Sequence, residues 1–246
     1  MILNVQEIDW VLQMARADLF QVCVEDFLVG SFLLLFTFYH IYLAVRVVKD
    51  PLATTIGQNY EMRRAWSTLM IANPAKHFTA VQTIRNTIMS ASMLASTSVA
   101  LNTATFVFLI NYENIPGIGD LNVFGTDRIK PAYKLLSLTI CFLFSFFCYM
   151  QSIRMNNHAS FQISMSPQDS RFVDDKVISD NLNSSANFFT LGSRGYTLAF
   201  IIILWLFGPL PPFIGIILLI PVMWYLDIGA AERTFNHANS RIQMTC

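Results

Sequence analysis

The sequence predicts an all-α integral membrane protein: a helical bundle of about five transmembrane helices with short interfacial amphipathic helices. Three observations predict this class. Of the 246 residues, 54% are hydrophobic and only 13% are charged, which is about half the charged fraction of an ordinary soluble domain. Four long stretches contain no Asp, Glu, Lys or Arg, and the longest of them has a proline-rich middle.

The same composition excludes two other classes of protein. The 16 Lys and Arg residues balance 16 Asp and Glu residues, so no net positive charge is available to release counterions from a nucleic acid. We therefore expect no nucleic-acid partner. The high hydrophobic content also excludes an intrinsically disordered chain.

The charge-free stretches determine the number of crossings. A transmembrane helix needs roughly 20 apolar residues, and residues 27–45, 86–112 and 135–153 each supply one. The fourth stretch, residues 195–226, would be about 48 Å long as one helix, whereas the hydrocarbon core is about 30 Å thick. It therefore has to cross more than once.

The fourth stretch turns back at its centre, where the sequence reads GPLPP over residues 208–212. Prolines remove backbone donors and prevent a helix from continuing through them. We predict a proline-cornered hairpin with arms over residues 185–207 and 212–227, which gives five transmembrane helices in total.

Two shorter helices are predicted outside the spans. In the N-terminal segment, Val5, Ile8, Leu12, Ala15 and Leu19 share one helical face. This pattern predicts an amphipathic extension over residues 1–24, before a transmembrane domain over 25–228 and a cytoplasmic tail over 229–246.

The second short helix falls between the first two spans. Its apolar positions recur at helical spacing, and they are Met62, Ala65, Trp66, Leu69 and Met70. We place Arg63 and Arg64 on its opposite, polar side. Such a helix is typical of one that lies on the cytoplasmic leaflet of a membrane.

The basic residues predict how the protein is oriented in its membrane. If the N-terminus is outside, twelve Lys and Arg residues fall on the cytoplasmic side and four on the other. Because basic flanks resist translocation, we expect an external N-terminus and a cytoplasmic C-terminus.

Arg194 and Asp227 are predicted to form a structural ion pair. They lie on the two arms of the hairpin, 16 and 17 residues from Leu210 respectively, and therefore at nearly the same depth. An unpaired charge at that depth is costly, whereas a pair within one hairpin is tolerable.

Three arginines suggest a binding site for an anion. Arg85, Arg154 and Arg194 all lie at the cytoplasmic ends of predicted spans, and converging guanidinium groups bind phosphate or carboxylate through bidentate contacts. Polar residues within one helical turn of them would complete the lining, namely Gln82, Asn86 and Gln151. In the alternative interpretation, each arginine extends to the lipid headgroups and anchors its own helix.

The sequence offers no catalytic machinery. No convincing nucleophile or general base accompanies the arginines, and the histidines lack the spacing of paired metal or haem ligands. We expect no enzyme activity, no cofactor and no metal site.

Small residues predict where the helices pack. In the second span, Ser92, Ser96, Ala100 and Ala104 recur every fourth residue, a pattern that permits close backbone approach. In the third span, one face carries a run of small polar residues, namely Ser137, Cys141, Ser145, Cys148 and Ser152.

Three motifs resemble a known family. They are VQTIRNTIM at residues 81–89 with LAST at 94–97, then QSIR at 151–154, and finally FFTLGSRG at 188–195 continuing to LWLFGP and YLD. In this order they resemble the family called domain of unknown function 599, over about residues 27–227. The resemblance implies a multi-pass membrane protein, of a kind common in land plants and present in bacteria, without an assigned activity.

These observations favour an anion-binding or lipid-headgroup-binding membrane protein, channel-like or transporter-like, whose ligand contacts are Arg85, Arg154 and Arg194. Its expected partners are the lipid bilayer, an anionic ligand or lipid headgroup, and a second copy of the chain in a homo-oligomer. The alternative is a non-transporting adaptor that recruits partners through its cytoplasmic loop. A membrane enzyme ranks third.

Overall fold

The computed structural model describes residues 5–112, 114, 130–165 and 174–233, and it gives only the backbone of residues 5–26. The residues it describes form six α-helices and no β-strand. The helices are α1 (Val5–Lys49), α2 (Thr55–Ile71), α3 (His77–Asn111), α4 (Pro131–Ser164), α5 (Asp175–Trp205) and α6 (Leu210–Trp224).

Five helical segments within the described residues are long and apolar enough to cross a membrane. They are Phe27–Lys49, Pro74–Asn111, Pro131–Ser164, Asp175–Trp205 and Leu210–Arg233. The predicted all-α class with five transmembrane-length helices is therefore confirmed, and the architecture is compatible with a multi-pass membrane protein.

The first helix is longer than its transmembrane part. Its backbone continues without a break from Val5 to Lys49, so no change in secondary structure separates the predicted N-terminal extension from the first span. The side chains of that extension, and the tail after Arg233, lie outside the described residues.

The hairpin between α5 and α6 turns at Gly208. This residue has a positive φ of 125°, a conformation that glycine adopts without the steric cost of a Cβ atom. The buried Lys134, which is 1% exposed, donates from Nζ to the carbonyl of Trp205 over 2.9 Å. A cation thus binds a carbonyl at the C-terminal end of α5, where helical carbonyls lack partners within the helix.

Helices α4 and α5 approach each other closely along the small face predicted for α4. Cys141, Ser145, Cys148 and Ser152 are buried there, whereas Ser137 is only half-buried. A Cβ atom added to Gly195 would overlap the Ser145 hydroxyl. Glycine at this position therefore permits the approach.

The predicted packing face of α3 is wrong. Ser96, Ala100 and Ala104 are exposed. The buried face of α3 instead includes a second set of small residues, among them Ala91, Ala95 and Ser98. Because small residues recur on two adjacent faces of this helix, spacing alone does not show which face meets its neighbours.

Three apolar clusters form in the described part of the chain, and two of them connect the helices of the bundle at different heights. In the first, Phe32 of α1 packs edge-on against Trp205 of α5, with ring centroids 5.8 Å apart. The second cluster joins α3, α4 and α5 through Ala80, Ile84, Ala159, Ile163, Ile178 and Leu182, and Trp66 and Met70 of α2 pack against it. The second cluster thereby fixes α2 against one end of the bundle.

Candidate functional site

The structure brings Arg194 and Asp227 into contact. Arg194 Nη2 lies 2.5 Å from both carboxylate oxygens of Asp227, and the two side chains are 19% and 9% exposed. Tyr39 of α1 also donates its hydroxyl to Asp227 Oδ2 over 2.6 Å. Asp227 therefore links α1, α5 and the segment after α6.

Asp227 lies in a short π-helical segment, Tyr225–Gly229, that follows α6. The helix α6 contains Pro221, which supplies no backbone donor. Wider π-helical turns often occur at functional sites. Here the segment carries a buried carboxylate that both Arg194 and Tyr39 reach.

The other residues of the predicted anion site lie apart from Arg194. Arg85 and Arg154 are exposed, as are Gln82 and Asn86, while Gln151 is half-buried. Although these residues lie near the same ends of their helices, they do not share one face.

Two contacts across the bundle give the heights of Arg85 and Arg154 relative to Arg194. The Tyr196 hydroxyl donates to the Leu94 carbonyl, and Arg85 lies nine residues before Leu94, or roughly 13 Å along α3. The Tyr149 hydroxyl lies 3.4 Å from Ser193 Oγ, and Arg154 is five residues beyond Tyr149, or roughly 7 Å along α4. Arg85 and Arg154 therefore both lie at a different height from Arg194.

A different arginine lines a cavity of about 570 Å³ between α2, α3, α4 and α5. We call it the Arg63 cavity. Its polar lining residues are Asn59, Arg63, Thr83, Thr87, Ser90, Ser152, Asn156, Ser185 and Thr190. Its other lining residues are Met62, Trp66, Ile84, Leu182, Ala186 and Phe189.

Arg63 is a half-buried cation in this cavity. Its Nε donates to Asn183 Oδ1 over 2.8 Å, and no carboxylate of the described residues lies within ion-pair distance. Burial lowers the pKa of the Arg63 guanidinium below its usual value. Arginine nevertheless stays protonated at neutral pH, so no carboxylate in the described part of the chain compensates the positive charge of Arg63.

Asn156 provides a second polar group, whose amide is open to the cavity, while Asn183 Nδ2 beside Arg63 is buried without a partner among the described residues. It is 5% exposed, lines the Arg63 cavity, and forms no side-chain hydrogen bond with any described residue. The hydroxyls of Thr87, Ser90 and Thr190 each donate to a carbonyl of their own helix. They therefore present lone pairs to the cavity, whereas Arg63, beyond its Nε, and Asn156 present donors for which no described residue supplies an acceptor.

Hydrogen bonds at both ends hold α2 against the bundle. Thr54 caps its N-terminus by accepting from the Gly57 amide, and the side chain of Gln58 donates to the Ala231 carbonyl over 2.9 Å. Near the other end, the Thr68 hydroxyl donates to Asp175 Oδ2 over 2.6 Å. The position of Arg63 is therefore fixed relative to α5.

The sequence interpretation placed Arg63 on the polar side of α2, and this assignment is wrong. Arg63, Trp66 and Met70 are spaced i, i+3 and i+7 and so form one stripe, while Arg64 points outward and is exposed. Two adjacent residues on a helix cannot face the same direction. The spacing of Arg63, Trp66 and Met70 in the sequence therefore predicts that Arg63 faces the bundle and that Arg64 does not.

A family model described as protein of unknown function, DUF599, matches residues 27–231. The chain belongs to the DUF599 family. The match includes both the Arg63 cavity and the Arg194–Asp227 pair, and it begins after the N-terminal extension. Comparisons with curated proteins and with solved structures found no match.

The three motifs that carry the DUF599 resemblance meet at the Arg63 cavity. The motif at residues 81–89 contributes Thr83, Ile84 and Thr87 to the lining, and the motif at 151–154 contributes Ser152. The motif at 188–195 contributes Phe189 and Thr190. Segments far apart in the chain therefore form one depression, in which polar side chains lie within a mostly apolar lining.

Proposed function

We propose that this protein is a multi-pass membrane protein that binds an anionic group, a phosphate or a carboxylate, in the Arg63 cavity. One observation supports the proposal above all others. Within the described part of the chain, the half-buried Arg63 has no carboxylate partner, and the Asn156 side chain, which lines the same cavity, forms no hydrogen bond.

The energetics of burial favour such a ligand. A partly buried charge without a counter-ion is costly, and so is a buried amide without a hydrogen-bond partner. An anion would accept from both groups at once, because the guanidinium has further N–H donors beyond the Nε bound to Asn183. Charge-assisted hydrogen bonds of this kind contribute about 1.5–3 kcal/mol each.

The position of the cavity suits a headgroup at a membrane surface. Its α3 and α4 walls lie where the charge-free stretches 86–112 and 135–153 meet charged sequence. In the orientation that we propose, with the N-terminus outside, this is the cytoplasmic interface. The exposed Arg85 and Arg154 then lie at the same level, where they attract anionic lipid from the leaflet.

Binding of a soluble anionic lipid to the purified protein tests the proposal. The probe is dihexanoyl phosphatidic acid, titrated by calorimetry in detergent. Arg63→Gln should weaken binding about tenfold or more, the effect of losing one charge-assisted contact. Arg64→Gln is the matched control, because it removes the same charge from the exposed neighbouring position.

A second pair of variants tests whether binding depends on a residue that lines the cavity or on its exposed neighbour. Asn156→Leu should weaken binding, whereas Asn157→Leu, at an exposed position, should leave it unchanged. Equal affinities of the Arg63→Gln and Arg64→Gln variants would refute the proposal. If Arg85→Gln or Arg154→Gln were instead the variant that abolished binding, the ligand would lie at the surface arginines.

A further inference from the structure

The Arg63 cavity continues into a groove along the hairpin. The next depression shares Phe189 and Thr190 with the cavity. It in turn shares Phe200, Leu219 and Val222 with a third depression, which reaches Leu204 and Leu210. We call the second and third depressions together the α5–α6 groove.

The groove has the length of a hydrocarbon chain. From Thr190 to Leu204 there are fourteen residues of helix, or about 21 Å along α5. One leaflet of a typical bilayer has a hydrocarbon thickness of about 15 Å. A lipid chain that starts at the Arg63 cavity and spans one leaflet is therefore shorter than the groove, and the whole chain fits in it.

The chemistry of the groove changes along this path. Next to the cavity, Thr190, Ser193 and Thr197 each donate to a carbonyl of α5 itself. Their donors are thus satisfied.

The charge of the arginine in this section is balanced. Arg194 is neutralised by Asp227. Toward the hairpin corner, the groove is lined entirely by apolar side chains together with Gly215 and Pro211. Arg194 binds Asp227 through Nη2 alone, so the section compatible with hydrocarbon is the apolar one toward the hairpin corner.

We propose that the ligand is an anionic lipid whose headgroup lies at Arg63 and whose hydrocarbon chain lies in the α5–α6 groove. This inference rests on the proposed headgroup site and adds the chemical class of the ligand. The continuity of the groove with a cavity that needs an anion favours a lipid over a second protein chain, since a helix of another copy would fill the groove but not supply that anion.

The test uses two tryptophan substitutions on α6. Val222 forms the junction of the two groove sections and is 56% exposed, whereas Ile217 is 49% exposed and lies outside the groove. Val222→Trp fills the groove, and Ile217→Trp adds the same bulk beside it. Both positions face outward, so neither substitution disturbs the core.

The measurement is electron spin resonance of phosphatidic acid that carries a nitroxide near the end of one long chain, in nanodiscs of phosphatidylcholine. The wild type and Ile217→Trp should show an immobilised lipid component, and Val222→Trp should lose it. Calorimetry with dihexanoyl phosphatidic acid should give the same affinity for all three proteins, because that probe occupies only the headgroup site.

Two results would overturn the inference while leaving the headgroup site intact. One is an immobilised component of equal size in Val222→Trp and Ile217→Trp. The other is that Val222→Trp dissociates an oligomer without changing chain immobilisation, which would identify the groove as a protein interface. Failure of dihexanoyl phosphatidic acid to bind the wild type would instead refute the headgroup site itself.

Discussion

Replacing Arg194 by methionine should destabilise the protein far more than the loss of a surface charge. Asp227 would keep its hydrogen bond from Tyr39 but lose the cation that lies 2.5 Å away. Breaking a buried ion pair by removing one partner costs about 3–5 kcal/mol. Asp227→Leu should cost a similar amount, because it leaves the Arg194 guanidinium without its counter-ion.

The double variant, Arg194→Met with Asp227→Leu, should be much more stable than the sum of the two losses predicts. It leaves no unpaired charge, and buried ion pairs replaced by apolar residues are often close to neutral in stability. The interaction energy from this double-mutant cycle should therefore be at least about 3 kcal/mol. Tyr39→Phe, which removes one hydrogen bond to the carboxylate, should cost about 1.5–3 kcal/mol.

The assay is equilibrium unfolding in mixed micelles of detergent and dodecyl sulfate, followed by circular dichroism. The free energy of unfolding is compared among the wild type, the two single variants and the double variant. A double variant whose loss equals the sum of the single losses would refute the reasoning, because it would show that Arg194 and Asp227 contribute independently.

Three further predictions concern packing, the cavity and the topology. Gly195→Val should lower the free energy of unfolding by about 1–3 kcal/mol through overpacking against Ser145, while Gly30→Ala, where a Cβ meets nothing within 4 Å, should not; equal effects would contradict the close approach of α4 and α5. Asn156→Leu should weaken ligand binding without lowering the thermal midpoint, because no described residue forms a hydrogen bond with the Asn156 side chain, and a lower midpoint would show that this side chain supports the fold. Tags on the two chain termini should be labelled from opposite sides of the membrane, and labelling of both from one side would contradict five crossings.

Local chemistry explains why the transmembrane helices could be predicted from the sequence. The absence of charge marks each span, and the Gly208 corner depends on the conformations of glycine and proline themselves. The proximity of Arg194 and Asp227 followed from the same corner, because a hairpin fixes the relative depth of its two arms.

The Arg63 cavity could not be predicted in this way. Its walls come from four helices, so its existence depends on which faces of those helices meet. The spacing of the small residues of α3 did not show which of its two faces is buried. Ala91 and Ala95 belong to the buried face. The ends of the charge-free stretches also placed Arg85 and Arg154 on the same side of the membrane, without showing that both side chains are exposed.

A density map of the protein in nanodiscs that contain phosphatidic acid tests the central claim most directly. We expect elongated non-protein density whose polar end lies between Arg63 and Asn156 and whose chain follows α5 toward Leu204. A map in which the Arg63 cavity is empty, or in which a carboxylate of the protein itself occupies it, would contradict the account.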